Sequence, residues 1–159
     1  MTSIMISMTE QGTLPLMANR PQRRMTAQFQ DDPLRNLVMS NHALTDCYTL
    51  LENRHLLDLE ALLQGLQAKT RADLIVYRNV GSSLSKRAAT EEEKQFVRAF
   101  YDGPLQVLSS FSLALEVCLL LLSRGCLVEL ENELLNQQET LRKNIAACYQ
   151  WVKKFSDLI

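Results

Sequence analysis

The chain has 159 residues, 17 basic and 18 acidic side chains and a formal net charge of −1, which is enough length for one domain with a hydrophobic core. Binding of nucleic acid through phosphate neutralisation needs a basic excess on some face, and this balance argues against it. Four cysteines without a C-x-x-C pair, accompanied by two histidines, argue against a zinc site and a disulfide framework.

Residues 1–30 show no sustained helix or strand period, mix Ser, Thr, Gln and Met, and end in a small basic cluster. We predict a flexible leader over this range and a single helical-bundle domain over residues 31–159. The leader lacks the early positive charge and the unbroken apolar run of a secretory signal, so a cytoplasmic location is expected. The alternative is that residues 1–30 are the export signal of a specialised secretion system.

The first long helix is predicted to begin at Asp32-Pro33, because Asp caps a first turn well and Pro fits the first helical position. Leucines then recur at spacings of three, four and seven as far as about Ala68, which is one face of an α-helix. His55 falls in this apolar stripe and is interpreted as a partly buried histidine, whereas His42 is expected to be exposed.

The middle of the chain, residues 70–102, is predicted to hold one or two short helices. Thr70 and Asp73 have the spacing of a capping box, and a second capping box starts at Thr90. Between them, residues 79–89 are predicted to form a loop, because they combine a glycine with several serines and a basic pair.

The next helix is predicted over about residues 104–124, a stretch that is almost entirely apolar. Its length just suffices for a membrane span, but Glu116 and three serines interrupt it, so we interpret it as the central helix of a bundle. Arg124 and Gly125 supply the cation and the glycine that are typical of a helix C-terminus.

The last helix is predicted over residues 126–158 and carries a heptad repeat of apolar positions. Gln137 and Asn144 are polar residues at consecutive seam positions, where they either specify a partner or face solvent. Trp151 is either an interface anchor or part of the core. We predict a partner-binding face on this helix, formed by Leu127, Leu134, Gln137, Leu141, Asn144, Tyr149, Trp151 and Phe155.

The fold class predicted from these patterns is an all-α bundle of three long helices, about 32–68, 104–124 and 126–158, with one or two shorter helices between them. The sequence shows no nucleophile with a base in reach, no Glu-x-x-His motif and no phosphate-binding loop, so we predict neither enzymatic activity nor a bound cofactor or metal.

The predicted function is therefore a non-enzymatic protein-interaction module, a regulator, adaptor or chaperone, which binds an unidentified protein or a second copy of itself through helix contacts. Nucleic acid and membranes are not the expected partners. Two alternatives stay open: a secreted effector whose central helix interacts with a membrane, and a small DNA-binding regulator whose basic arm carries Arg20, Arg23 and Arg24.

Overall fold

A computed structural model of the chain describes the backbone of residues 20–155 and the side chains of residues 33–155. This described part is helical and contains no strand, which confirms the all-α bundle. Its helices are α1 (Arg20–Glu52), α2 (Leu56–Arg87), α3 (Glu91–Phe100), α4 (Gln106–Ser123) and α5 (Leu127–Lys154). A π-helical turn, Tyr101–Leu105, joins α3 to α4 without a break. The described helices therefore form four long rods, whereas the sequence predicted three.

Successive rods run antiparallel, because they are joined by turns of only three residues. The first and last rods are also antiparallel neighbours. Gln138 Nε2 donates to Thr45 Oγ1 at 2.9 Å, and Tyr48 Oη donates to Glu131 Oε1 at 3.3 Å, so positions rise along α1 as they fall along α5. The most extensive helix–helix interfaces in the bundle are those between α1 and α5 and between α2 and α4.

The core lies along the bundle axis and is built mainly from leucine and phenylalanine. Burial of each such side chain contributes about 1.5–3 kcal/mol, which makes these positions the main source of the fold's stability. The largest side chains that are fully enclosed are Leu37, Leu44, Leu51, Leu59, Leu63, Phe96, Phe100, Leu108, Phe111, Leu115 and Leu130.

The predicted helix start at Asp32-Pro33 is wrong, because α1 begins at Arg20. Pro33 lies inside the helix and is buried. Proline suits a first turn because it has no amide hydrogen to donate. Inside a helix it removes one hydrogen bond and its ring crowds the carbonyl four residues earlier, so the sequence favoured a helix start there. The predicted leader of residues 1–30 overlaps α1 from Arg20 onward, and residues 1–19 lie outside the described residues.

The predicted helix over residues 32–68 is two helices, because the chain reverses at residues 53–55. His55 lies in that turn and is exposed, so its assignment to a buried helix face is wrong. His42 is exposed on α1 as predicted. The turn contains neither glycine nor proline, so no residue type in the sequence indicated a chain reversal there.

Helix α2 passes through the capping box predicted at Thr70 and through residues 79–87 of the loop predicted over residues 79–89, and it ends at Arg87. Thr70 Oγ1 donates to the carbonyl four residues earlier at 2.8 Å, which is how a threonine is accommodated inside a helix. Gly81 does not turn the chain. A Cβ at this position would lie 3.0 Å from Tyr101 Oη, so the glycine lets the neighbouring rod approach closely.

Two predicted helix ends are confirmed. Thr90 Oγ1 accepts the amide of Glu93 at 3.1 Å, and Glu93 Oε1 accepts the amide of Thr90 at 2.9 Å, which is the reciprocal pattern of a capping box. Gly125 follows α4 with a φ of 70°, in the left-handed region that glycine adopts most easily. The predicted central helix 104–124 is the second half of a longer rod that starts at Glu91.

Candidate interaction surfaces

The structure places most of the predicted partner-binding residues of α5 inside the bundle. Leu134, Leu141, Trp151 and Phe155 are buried, Leu127, Gln137 and Asn144 are half-buried, and Tyr149 is exposed. This heptad seam packs mainly against α1. Of the eight positions, Tyr149 alone has a largely free side chain, and partner binding by this helix stays a prediction.

The two polar seam positions bond within their own helix. Gln137 Nε2 donates to Glu133 Oε1 at 2.9 Å, and Asn144 Nδ2 donates to the carbonyl of Thr140 at 2.9 Å. Neither amide therefore needs a partner from another chain to satisfy these donors. A heptad repeat gives the same sequence pattern whether its seam packs inside one bundle or against a second molecule.

Exposed apolar side chains form a stripe on α4. Leu113, Val117 and Leu120 are 64%, 46% and 47% exposed and stand at i, i+4 and i+7, so they share one side of the helix. The opposite side of α4 is buried in the core. Most polar residues of this helix, Gln106, Ser109, Ser110 and Glu116, lie on the same side as the stripe, so the sequence already indicated which side faces outward.

A groove of about 410 Å³ lies beside this stripe, between α2 and α4. Ile75 of α2 is 60% exposed and adds to the apolar surface from the other side of the groove. Arg71 forms an ion pair with Glu116, and Arg78 Nη2 donates to Ser109 Oγ at 3.5 Å. The groove is lined by Arg71, Leu74, Ile75, Arg78, Ser109, Ser112 and Leu113. We call the exposed set Ile75, Leu113, Val117 and Leu120 the α4 face.

The rod Glu91–Ser123 is also the one helix of the described chain that is long and apolar enough to cross a membrane. Of its most apolar stretch, 39% is buried inside the bundle. The same composition therefore serves the core on one side and the α4 face on the other.

A second, smaller cavity of about 70 Å³ lies where the π-helical turn meets α1 and α5. The turn contains Gly103 and Pro104, and a π-helical turn accommodates one extra residue without ending the helix. The cavity is lined by Leu37, Ala99, Gly103, Pro104, Val107, Asn144, Ala147, Cys148 and Trp151.

Trp151 closes one side of this cavity and is held by aromatic neighbours. Its ring stacks on Phe96, with centroids 5.0 Å apart and planes inclined by 17°, and meets Phe155 edge-on at 6.2 Å. The indole Nε1 is buried and has no hydrogen-bond partner among the residues that the structure describes. Among the described side chains it shares this condition only with the side-chain Oδ1 of Asn41. Buried polar atoms are nearly always paired, so this donor is an exception within the described core.

The cysteines are free thiols, and three of them are buried. Burial raises the pKa of Cys47 and of Cys118 to about 12 and that of Cys148 to about 11, with the charge of Asp46 adding to the effect at Cys47. These thiols are protonated at neutral pH and are poor nucleophiles. In the described part of the chain, no three His, Cys, Asp or Glu side chains are grouped so that they could hold a metal ion.

No protein-family model, no curated protein and no solved structure matches the chain.

Proposed function

We propose that the chain is a non-enzymatic protein-interaction module that docks a partner on the α4 face. The observation that carries this proposal is the exposure of Leu113, Val117 and Leu120 along one side of a helix whose other side is core. Apolar side chains that are exposed singly are common, but a contiguous stripe beside a groove is typical of an interaction site.

The partner that fits this surface is an amphipathic helix with acidic residues along one edge. Apolar positions at i, i+4 and i+7 on α4 match the repeat with which a second helix presents its own apolar side. Arg71 and Arg78 stand two helical turns apart, about 10.5 Å, along the α2 edge of the groove. Arg71 is paired with Glu116 of α4, so Arg78, which donates to Ser109 Oγ, is the guanidinium group in the groove lining that favours a negative charge on the partner.

Membrane interaction of the same rod is the second candidate function, favoured by its length and apolar composition. Insertion as a span requires the rod to leave the bundle and expose its core side, whereas helix docking uses the α4 face as it stands. A second copy of the chain is the remaining possible occupant. We rank helix docking first because it requires no unpacking of the core and offers a carboxylate partner to Arg78.

Site-specific photocrosslinking in cells that make the protein naturally tests this proposal. A photoreactive phenylalanine analogue replaces Leu113 on the α4 face or, as the matched control, Val128, which is 69% exposed on α5 outside that face. Support would be a crosslink from position 113, absent from position 128, to an acidic amphipathic segment of another protein. Arg78→Glu should then weaken that crosslink by about tenfold or more.

The other outcomes overturn the proposal in distinguishable ways. A crosslinked peptide from the chain itself would establish self-association on this face. A crosslinked lipid would favour the membrane candidate. Equal products from positions 113 and 128, or none from position 113, would show that the α4 face is not a specific docking surface.

A further inference from the structure

The outward side of α5 carries a row of eight residues that the other described helices leave exposed. Their spacings alternate between four and three, so they share one side of the helix, opposite the seam that packs into the core. Three of them, Val128, Leu135 and Tyr149, are large apolar side chains that are 69%, 45% and 56% exposed. We call the whole set the α5 stripe: Val128, Asn132, Leu135, Glu139, Arg142, Ala146, Tyr149 and Lys153.

The order of spacings in the α5 stripe is the same when it is followed from either end. A second copy of α5 that lies antiparallel against the first therefore brings every stripe position opposite another stripe position. The two-fold axis of this arrangement passes midway between Glu139 and Arg142, and the contact is isologous. The opposed pairs are Val128 with Lys153, Asn132 with Tyr149, Leu135 with Ala146 and Glu139 with Arg142.

Charge along α5 is divided at the same central point. The N-terminal half, residues 127–140, has four acidic side chains and no basic one, and the C-terminal half, residues 141–154, has four basic side chains and no acidic one. Antiparallel pairing places the acidic half of each copy against the basic half of the other, whereas parallel pairing would bring like charges together. The charge pattern and the spacing pattern therefore favour the same orientation.

The centre of the α5 stripe is itself an ion pair. Arg142 is paired with Glu139 of the same helix, and their side chains are 72% and 48% exposed. Across the two-fold axis, each carboxylate would lie between its own guanidinium group and that of the second copy. Both ion pairs of the monomer are thereby kept, and two more are gained between the copies.

We propose that two copies of the chain associate through the α5 stripe as an antiparallel dimer with two-fold symmetry. The ion pairs of Glu139 and Arg142 lie on the axis, and Leu135 packs on Ala146 at either side of it. Because Ala146 is small, the two helices can approach closely at this point. The contact uses no residue of the α4 face and requires no change in the bundle, since the stripe is already exposed.

Sedimentation velocity of the full chain at low ionic strength tests the dimer through charge reversal. Glu139→Arg and Arg142→Glu each place like charges across the axis, so each variant alone should dimerise about tenfold more weakly than the wild type or less. An equal mixture of the two variants should recover the association, because each then meets the opposite charge on the other. The exchanged variant Glu139→Arg/Arg142→Glu should recover most of it as well, and added salt should weaken the wild-type dimer.

Two controls separate this contact from the α4 face and from a loss of folding. Val117→Glu alters the α4 face and should leave the dimer unchanged, and the circular dichroism of every variant should match that of the wild type. The proposal is overturned if the wild type stays monomeric at low salt, or if the mixture associates no more than either variant alone. Loss of the dimer in Val117→Glu would also overturn it, by placing self-association on the α4 face.

The photocrosslinking experiment distinguishes this dimer from the proposed function. The dimer predicts a crosslink from position 128 to a second copy, whereas partner docking predicts a crosslink from position 113 to another protein. A charge-dependent dimer without a product at position 113 would therefore leave the dimer standing and remove the docking proposal.

Discussion

Arg54 and Gly125 occupy the same left-handed position in two turns that share one hydrogen-bond pattern, with φ values of 58° and 70°. In each turn the amide of this residue donates to the carbonyl three residues earlier, at 3.1 Å. The next amide donates to the carbonyl five residues earlier, at 2.9 Å. This pair of bonds is a Schellman motif, and it ends α1 and α4 in the same way.

Replacement of Gly125 by alanine is expected to destabilise the protein by about 1 kcal/mol, because a Cβ is strained in the left-handed region. Arg54→Gly should be close to neutral. It relieves the same strain, but it increases the freedom of the unfolded chain and removes the bond from Arg54 Nη1 to the carbonyl of Leu51, which is 2.8 Å long. Urea unfolding measures both changes.

Gly65 supplies the control for this pair. It lies inside α2, and a Cβ added there meets nothing within 4 Å. Gly65→Ala should therefore stabilise the protein by roughly 0.5–1 kcal/mol, as expected for a glycine in a helix interior. Equal effects of alanine at positions 65 and 125 would contradict the left-handed turn at Gly125.

These turns also show which helix boundaries could be predicted from the sequence. Gly125 and Thr90 are residue types that strongly favour a helix end, and both predictions hold. Arg54 adopts a conformation that its residue type disfavours, because the packing of α2 against α1 requires a reversal there. Gly81 and Pro33 are the reverse case, since both are residues that interrupt helices yet lie inside long ones.

The candidate sites were less accessible to prediction than the fold class. A leucine repeat predicts helices that pack, and the polar residues of α4 indicate its exposed side, but whether Leu113, Val117 and Leu120 stay exposed there depends on where α2 and α5 lie around it. The cavity depends on the meeting of residues such as Leu37, Gly103 and Trp151, which are far apart in the chain. The one available signal was Gly103-Pro104 within an apolar helix, which indicates a local irregularity but not the space beside it.

A buried polar network holds α1 against α2. Asn36 Nδ2 donates to Asp73 Oδ2, and Lys69 Nζ lies 2.9 Å from the same oxygen. Asn36 and Asp73 are 7% and 9% exposed. Asp73→Ala leaves the Asn36 amide buried without its acceptor, so we expect a loss of about 1–3 kcal/mol in the free energy of unfolding, measured in urea.

Two further variants distinguish the loss of the Asn36–Asp73 hydrogen bond from the general effect of removing a charge. Asp46→Ala removes an exposed carboxylate from α1 and should stay within about 0.5 kcal/mol of the wild type. The double variant Asn36→Leu/Asp73→Leu replaces both partners by apolar groups and should recover part of the loss. A double variant less stable than Asp73→Ala would show that the network contributes more than its replacement by apolar packing.

The capping box of α3 makes stability depend on pH. Partial burial acts to raise the pKa of Glu93, but the hydrogen bonds that its carboxylate accepts from the amides of Thr90 and Ala89 outweigh it and hold the pKa below the ordinary value. A lowered pKa in the folded state stabilises the protein above the unfolded value of about 4.3, and this contribution is lost as the pH falls through the folded pKa.

We therefore expect the wild type to be more stable than Glu93→Gln at pH 7, with the difference shrinking as the pH is lowered below about 4. Urea unfolding of both proteins across this range checks the trend. Glu92→Gln removes a neighbouring exposed charge in the same helical turn and controls for net charge. A difference between wild type and Glu93→Gln that stays constant with pH would contradict the assignment.

The four thiols should differ sharply in reactivity, because the fold buries three of them. With pKa values raised to about 12, Cys47 and Cys118 carry a thiolate fraction of only about 10⁻⁴ at pH 8, and Cys148 is similarly protected. Cys126 is partly exposed at the turn between α4 and α5. A disulfide-exchange reagent should titrate one thiol per native chain rapidly and four in denaturant. Cys126→Ser should abolish the fast phase, and rapid reaction of two or more native thiols would show that the core around α1, α4 and α5 opens far more readily than this packing allows.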